Sequence, residues 1–564
     1  MGLLAALFSG ALWVSETSLP DGRPRAINLR QEEAYWETLD AAGITTSTTF
    51  APCSFPAPEL RHGHLLCGLG VPDLAGGMGA WTLLRDDIAT EATTETGGRL
   101  VPLVWRDKSR KPGEIGVCEP VMIQGPEDPL RFDGTPMEKP IVLNADPKTG
   151  VVHVTDGVET REIAKGAWSE PFDFLFRSSP WFRVRGQSRF KLVDIDQSLR
   201  VYLDPIGFHP GELPSGVRLS SPEDHAWNLW QETGPFETVG WACATNALKD
   251  GMIDDRTFLE DARRVWDEEE RIALHELADL DKRVVTAIFT VPDRIQHMFM
   301  RYEWMDRDQS GRRVDPRMAQ AIEEAYLRVD AFVGRVRRER MRKGDAILVV
   351  SDHGFAPWRR AVNLNSFLVR EGLMTLDGPT ATRSLREQVD QSSALGEIDW
   401  SRTQAYSIGL GHIYLNLEGR EPRGIVKPSE VEPLIARITE ALMKLRDGEA
   451  PVVAVASRGD RAMVGTAIPE GAAEIYVGFH RGYRVSWQSC LGGANEAIVS
   501  ENVNAWSGDH CSVDPREVPG VLLTDLKLGE GAARVVDVGP TILDWAGLAP
   551  AAGDPADGHS LLAR

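Results

Sequence analysis

Apolar and polar positions along this chain change period several times, and each change predicts an element. Residues 30–42, RQEEAYWETLDAA, carry apolar side chains at helical spacing and stop at Gly43; ITTSTTF follows as a strand, giving an αβ unit. Residues 54–80 are rich in glycine and proline (FPAPEL, GLGVPDLAGGMG) and read as loop. From about residue 100 to 203 the runs become short and β-prone: KPIVLNADPKTGVVHVTDG, RFKLVDID and LRVYLDP, with ADPKTG placed as a hairpin turn. After about residue 220 the helical period returns. Residues 255–280 and 316–342 predict long amphipathic helices. Each is followed by an almost wholly apolar run, RVVTAIFTV and DAILVVSD, which predicts a buried strand. Further helices are expected over 429–445 and 538–548. No internal repeat is visible.

Apolar strands alternating with long helices indicate an α/β fold whose sheet is covered on both faces. The expected organisation is an incomplete N-terminal part of an α/β core over 1–99, a β-rich accessory subdomain over 100–215, and the main α/β core over 216–564.

Composition narrows the partners. With 564 residues and 42% apolar side chains, a large core is available. A formal charge of −21 repels polyanions, so no nucleic acid polymer is expected as a partner. A small phosphorylated substrate stays compatible, because a local metal or basic pocket outweighs a distant net charge. The six cysteines form no C-x-x-C pair, which argues against a zinc finger or disulfide scaffold. No apolar run is long enough for an ordinary membrane span. The start, MGLLAALFSGALWVS, is apolar but short and lacks a basic leader region, so the balance leans to the cytoplasm.

Three polar clusters stand just past apolar runs, where ligands bind in open α/β sheets. In FTVPDRIQHMF, Asp293 and His297 are spaced to share one helical face and to hold one divalent ion; the alternative is a helix cap and a surface histidine. In VVSDHGFAPW, Asp352 and His353 sit at a strand-to-loop turn, with Gly354 permitting a tight backbone. In AWSGDHCSVDP, Asp509 and His510 repeat the pair. Carboxylates and imidazoles without paired thiols suit zinc or manganese with open positions, not a structural zinc. Of the other histidines, His62 and His64 fall in loop, His153 in the β-rich part and His275 in a helix. His412, in GLGHIYLNL, precedes a strand and is the candidate to reach a substrate phosphate. Asn363, Asn365 and Arg484 are further candidates for substrate contact, against roles in turns and surface pairs.

The order Asp-x-x-x-His, Ser-Asp-His-Gly, Gly-Asp-His is similar to that of the type I phosphodiesterase/nucleotide pyrophosphatase family of the alkaline phosphatase superfamily. GLGVPDLAGGMG, PDRIQHMF, VVSDHGFAPWRRAVNLNSFL, GHIYLNLEGRE, VGFHRGYRVSWQS, WSGDH and DVGPTILDWAGL resemble family segments in family order. The resemblance implies a three-layer α/β/α sandwich around a mostly parallel sheet, with two divalent ions, usually zinc. Asp293, His297 and His510 would hold one ion; Asp352 and His353 would supply part of the second. The implied reaction is hydrolysis of a phosphodiester or nucleotide pyrophosphate by a Thr or Ser nucleophile. Close metals neutralise charge on phosphorus and on the leaving oxygen.

The chain also departs from the family. The family places an aspartate and its nucleophile before the segment that here begins at Tyr35. The preceding residues offer only Ser9, Ser15, Thr17 and Ser18 as hydroxyls, in no matching context. The expectation is that the N-terminal strand, first aspartate and nucleophile are missing, which leaves the second metal site incomplete and apolar surface beside the sheet. A late start is the favoured cause, over a gene fragment or a pseudoenzyme. Other functions to weigh are a phosphomutase, a phosphonate or phosphomonoester hydrolase, and a non-catalytic metal- or phosphate-binding protein. A sulfatase would carry C-x-P-x-R or S-x-P-x-R, and neither occurs.

Overall fold

The structure, a computed structural model, describes residues 30 and 33–563 apart from 95, 112, 132, 181, 280, 306–314, 379–394, 396–397, 460–470, 495–496 and 549–557. The hydroxyls expected to be unmatched near the N-terminus, Ser9 to Ser18, lie outside the described residues. The chain divides into two compact units, Met1–Val291 and Pro292–Arg564.

In the first unit, helix α1 (Tyr35–Ala41) is shorter than the apolar pattern predicted. It starts where the Glu37 carboxylate accepts the backbone N–H of Ala34 at 2.9 Å, which fixes the first turn. Strand β1 (Thr46–Ala51) follows as expected. Strand β2 (His64–Cys67) corrects the reading of 54–80 as loop throughout, and moves His64 from a loop to a strand start. Four residues are too few to show a period. Their strand character comes from parallel pairing with β1, in which Ser47 lies opposite His64 and Thr48 opposite Leu65.

Between Thr82 and Phe208 the unit is built of antiparallel ribbons, apart from a parallel pair, Thr82–Arg85 with Arg99–Pro102. The ADPKTG turn joins β3 (Pro136–Asp146) to β4 (Val151–Thr155), as its turn residues predict. Phe172, Phe174, Phe176 and Phe190 are fully buried there.

Helices α2 (His225–Thr233) and α3 (Asp255–Glu276) follow. Asp254 caps α3 by accepting the Thr257 N–H at 2.8 Å. Phe258, Ala262, Val265, Ile272 and Ala273 form its buried stripe. Strand β5 (Val284–Ala287) runs parallel to β1. It is half-buried rather than buried, because β1 is its one strand partner among the described residues.

Helix α4 (Val291–Phe299) lies in the second unit from its second residue onward. The predicted helix over 316–342 is a 3-10 turn, Pro316–Gln320, leading into α5 (Ala321–Glu339). Strand β6 (Leu348–Val350) is also less buried than its apolar sequence predicts, and Val350 is 38% exposed. Its one strand partner among the described residues is Leu522–Thr524, whose Leu523 is exposed as well. An apolar run reports capacity for burial; what covers it is set by neighbours. Strand β7 (Ala356–Val362) runs parallel to β8 (Gly482–Val485) and antiparallel to Val499–Glu501 and to β9 (Gly508–Asp509). A separate antiparallel sheet of Ala405–Ser407, His412–Leu415, Ile475–Phe479 and Val453–Arg458 packs on helix Val431–Met443. The final helix spans Val538–Trp545. The class is α/β. Among the described residues no helix is long and apolar enough to cross a membrane.

Candidate metal centre

The cluster in the second unit is assembled from the first turns of α4, the loop after β6 and the end of β9. Asp293 and His297 share one face of α4, with His297 Nε2 3.5 Å from Asp293 Oδ1. The Arg294 guanidinium donates to the other oxygen, Oδ2, at 2.7 Å. That division leaves Oδ1 to the imidazoles. His510 Nε2 stands 3.8 Å from the same Oδ1. The His353 and His510 rings stack with centroids 3.4 Å apart. Ligand atoms of Asp293, His353 and His510 all fall within 4.8 Å of one another.

Each ring is turned by what its other nitrogen meets. His297 Nδ1 lies 2.8 Å from the Gly508 carbonyl, and His353 Nδ1 lies 3.0 Å from the Gly354 carbonyl. A carbonyl only accepts, so both Nδ1 atoms carry the proton and both Nε2 lone pairs face the carboxylates. His297 is buried at 2% exposure, between Trp506 and the edge of Phe355. Burial, foremost, lowers the His297 pKa. Burial together with the neighbouring His353 ring pushes His510 down to about 4. Both are therefore neutral, the form that ligates, near pH 7.

Two glycines make the close approaches possible. A Cβ on Gly508 would stand 2.4 Å from the Gln296 carbonyl oxygen, so β9 lies against the backbone of α4 only because that residue is glycine. At Gly354 a Cβ would meet the Pro519 carbonyl oxygen at 2.5 Å. The tight backbone expected there is a close approach between segments.

Asp509 takes a different part from His510. It is buried, ion-paired with Arg484 at 2.9 Å, and accepts from Trp506 Nε1 at 2.9 Å and from the backbone N–H groups of His510 and Cys511. Burial opposes its ionisation, yet Arg484, with His297 and the backbone donors, holds the carboxyl down to about 2. Asp509 therefore braces the backbone that presents His510. Arg484 itself is buried between Trp358 and Trp487, with ring centroids 4.4 and 3.9 Å from its guanidinium carbon. It faces Asp509. Asp352, by contrast, has a side chain 78% exposed, with Oδ2 3.4 Å from His353 Nε2.

The remaining candidates are dispersed. Asn363 caps helix Leu364–Arg370, and Asn365 is buried with its amide on the Ser407 backbone. His412 opens its strand against Tyr476 and the turn at Gly409, half-buried. His275 lies on α3 beside Glu232, and His153 on β4 beside Glu162. Sequence reasoning missed the pairing of Arg484 with Asp509 and the part played by Trp506. Neither has a spacing that marks it; both follow from β7 pairing with β8 and β9.

The donor set suits a divalent ion: one carboxylate oxygen shared by two imidazole nitrogens, a third imidazole beside them, and the opposite ring nitrogens of His297 and His353 anchored on carbonyls. Residues 225–486 match the type I phosphodiesterase / nucleotide pyrophosphatase family. The match takes in Asp293, His297, Asp352 and His353 and ends before His510. No curated protein matches the chain.

Proposed function

We propose that this chain, whose residues 225–486 belong to the type I phosphodiesterase/nucleotide pyrophosphatase family, is a metal-dependent phosphohydrolase acting on a phosphodiester or nucleotide pyrophosphate bond. The family supports a hydrolase of phosphoester bonds in general. The observation that carries the finer reading is the convergence of His297 and His510 Nε2 on Asp293 Oδ1, with His353 stacked on His510.

In this reading Asp293, His297 and His510 hold one divalent ion, zinc or manganese, and Asp352 with His353 contribute to a second. The fold around them would be the three-layer sandwich of the alkaline phosphatase superfamily. Bound divalent ions supply charge neutralisation at phosphorus and at the departing oxygen. The protein's own contribution is positional. Arg294 fixes which oxygen of Asp293 is offered. The Gly508 and Gly354 carbonyls set the imidazole tautomers. The partly exposed Asp293, His353 and His510 leave the cluster open on one side to a small phosphorylated substrate. Among the described residues, Ser507 Oγ accepts from Arg301 N and Ser351 Oγ from Val521 N. A second reading is a protein that binds metal and phosphate without turnover.

The test is zinc- or manganese-dependent hydrolysis of bis-p-nitrophenyl phosphate. It is run on this chain, on its Asp293→Ala and His297→Ala variants, and on a chain extended by in-frame upstream sequence. Metal-dependent turnover in either length, abolished by both substitutions, supports the phosphohydrolase. Turnover in the extended chain alone places the nucleophile upstream. No turnover in either, with metal bound, leaves the binding protein.

A further inference from the structure

The first unit gathers imidazole and carboxylate groups of its own. His64 opens β2, His225 opens α2, and Glu276 is the last residue of α3. His225 and Glu276 are buried at 5% and 4% exposure, while the His64 side chain is one-third exposed. His64 Nδ1 lies 3.8 Å from Glu276 Oε2, and His225 Nε2 lies 3.7 Å from Glu276 Oε1. The two rings have centroids 4.3 Å apart.

These separations are too long for hydrogen bonds. They are close to what one ion requires: with zinc–ligand bonds of about 2.0–2.2 Å, tetrahedral donors stand roughly 3.4 Å apart. Three atoms at this place are short of partners. Glu276 Oε2, His225 Nε2 and Ser47 Oγ are buried without a hydrogen-bond partner among the described residues. Ser47 lies opposite His64 in the β1–β2 register, so its hydroxyl belongs to the same place. A buried polar atom left unpaired is costly and rare, and three converging on one spot call for a ligand.

We propose that His64, His225 and Glu276 hold a divalent transition-metal ion, zinc by the chemistry of the donor set, with Ser47 Oγ or a water completing its shell. The ion would tie the first turn of α2 and the last turn of α3 to the start of β2, and so act on the stability of the unit. Burial pushes the His225 imidazole down to about 4, which leaves it neutral, the form that ligates. One cation already leans on the site: Lys282 Nζ is 3.0 Å from His64 Nδ1, with its side chain 6% exposed. Asp279 Oδ2, 3.7 Å from the same ammonium, gives it a place to withdraw to when the metal enters.

The site stands apart from the phosphohydrolase reading, and its test is binding rather than activity. The full chain carrying Asp293→Ala and His510→Ala, stripped with chelator, is titrated with zinc, and with cobalt for its tetrahedral absorption. The expected result is one equivalent bound and a raised Tm. Affinity should fall at least tenfold in added His225→Gln or Glu276→Gln and rise in added Lys282→Met, which removes the competing ammonium. No zinc bound by the folded background variant overturns the proposal. So does zinc bound with unchanged affinity after both His225→Gln and Glu276→Gln. Should the background variant fail to fold, the stoichiometry of the unaltered chain is compared with that of His225→Gln. A loss of one equivalent supports the site, and equal stoichiometry overturns it.

Discussion

Asp509 and His510 are neighbours in sequence and face different partners, because successive side chains on extended backbone point to opposite sides. His510 reaches Asp293, whereas Asp509 turns inward to Arg484. The residue types of the cluster were readable from the sequence, since acid–imidazole pairs just past apolar runs are uncommon and chemically specific. The division of labour within the pair was not, because it depends on which face of β9 meets β7. Arg484 was less readable still: a lone arginine in a strand carries no spacing signal, and its place between Trp358 and Trp487 exists only in the folded chain. The buried pair makes a sharp prediction. Arg484→Met leaves a carboxylate buried without its cation and should cost about 3–5 kcal/mol in urea unfolding. It should also weaken metal binding through His510. Loss below about 1 kcal/mol would show that Asp509 does not depend on Arg484.

At the scale of elements, periodicity located the long helices and the hairpin, and failed where an element is short or half-covered. β2 is invisible because four residues show no period, and β5 and β6 read as buried because apolar sequence does not report that each has one strand partner among the described residues. The end of α1 shows how a single side chain fixes such a junction. The Asp40 carboxylate accepts the backbone N–H groups of Arg61, His62 and Gly63, holding the chain just before β2. Burial opposes its ionisation, but those donors outweigh it and lower its pKa. A depressed carboxyl pKa stabilises the fold above the unfolded value of about 3.9, and that contribution is lost as pH falls through the lower folded value. Asp40→Asn should therefore destabilise the first unit by roughly 1–2 kcal/mol near neutral pH. The gap between variant and unaltered chain should close as the pH of thermal unfolding is taken below about 4. A gap independent of pH would remove the ionised carboxylate from the account.

Across the whole molecule, a charge of −21 is compatible with the proposed cation sites, because ligands act at bonding distance while the net field is diffuse and screened. The family match reaches from residue 225 to 486, yet His510, which completes the cluster around Asp293, lies beyond it. The α/β class was legible from alternating helices and apolar runs. The acid–imidazole cluster was legible only as three separate pairs, since contacts between residues more than fifty positions apart leave no trace in spacing. The central claim is that Asp293, His297 and His510 hold one ion. It is tested most directly by anomalous scattering at the zinc edge from crystals of the chain grown with zinc. A peak at about 2.0–2.2 Å from Asp293 Oδ1 and from Nε2 of His297 and His510 is the predicted result. Zinc bound elsewhere in the chain, with no peak among these three side chains, would contradict it.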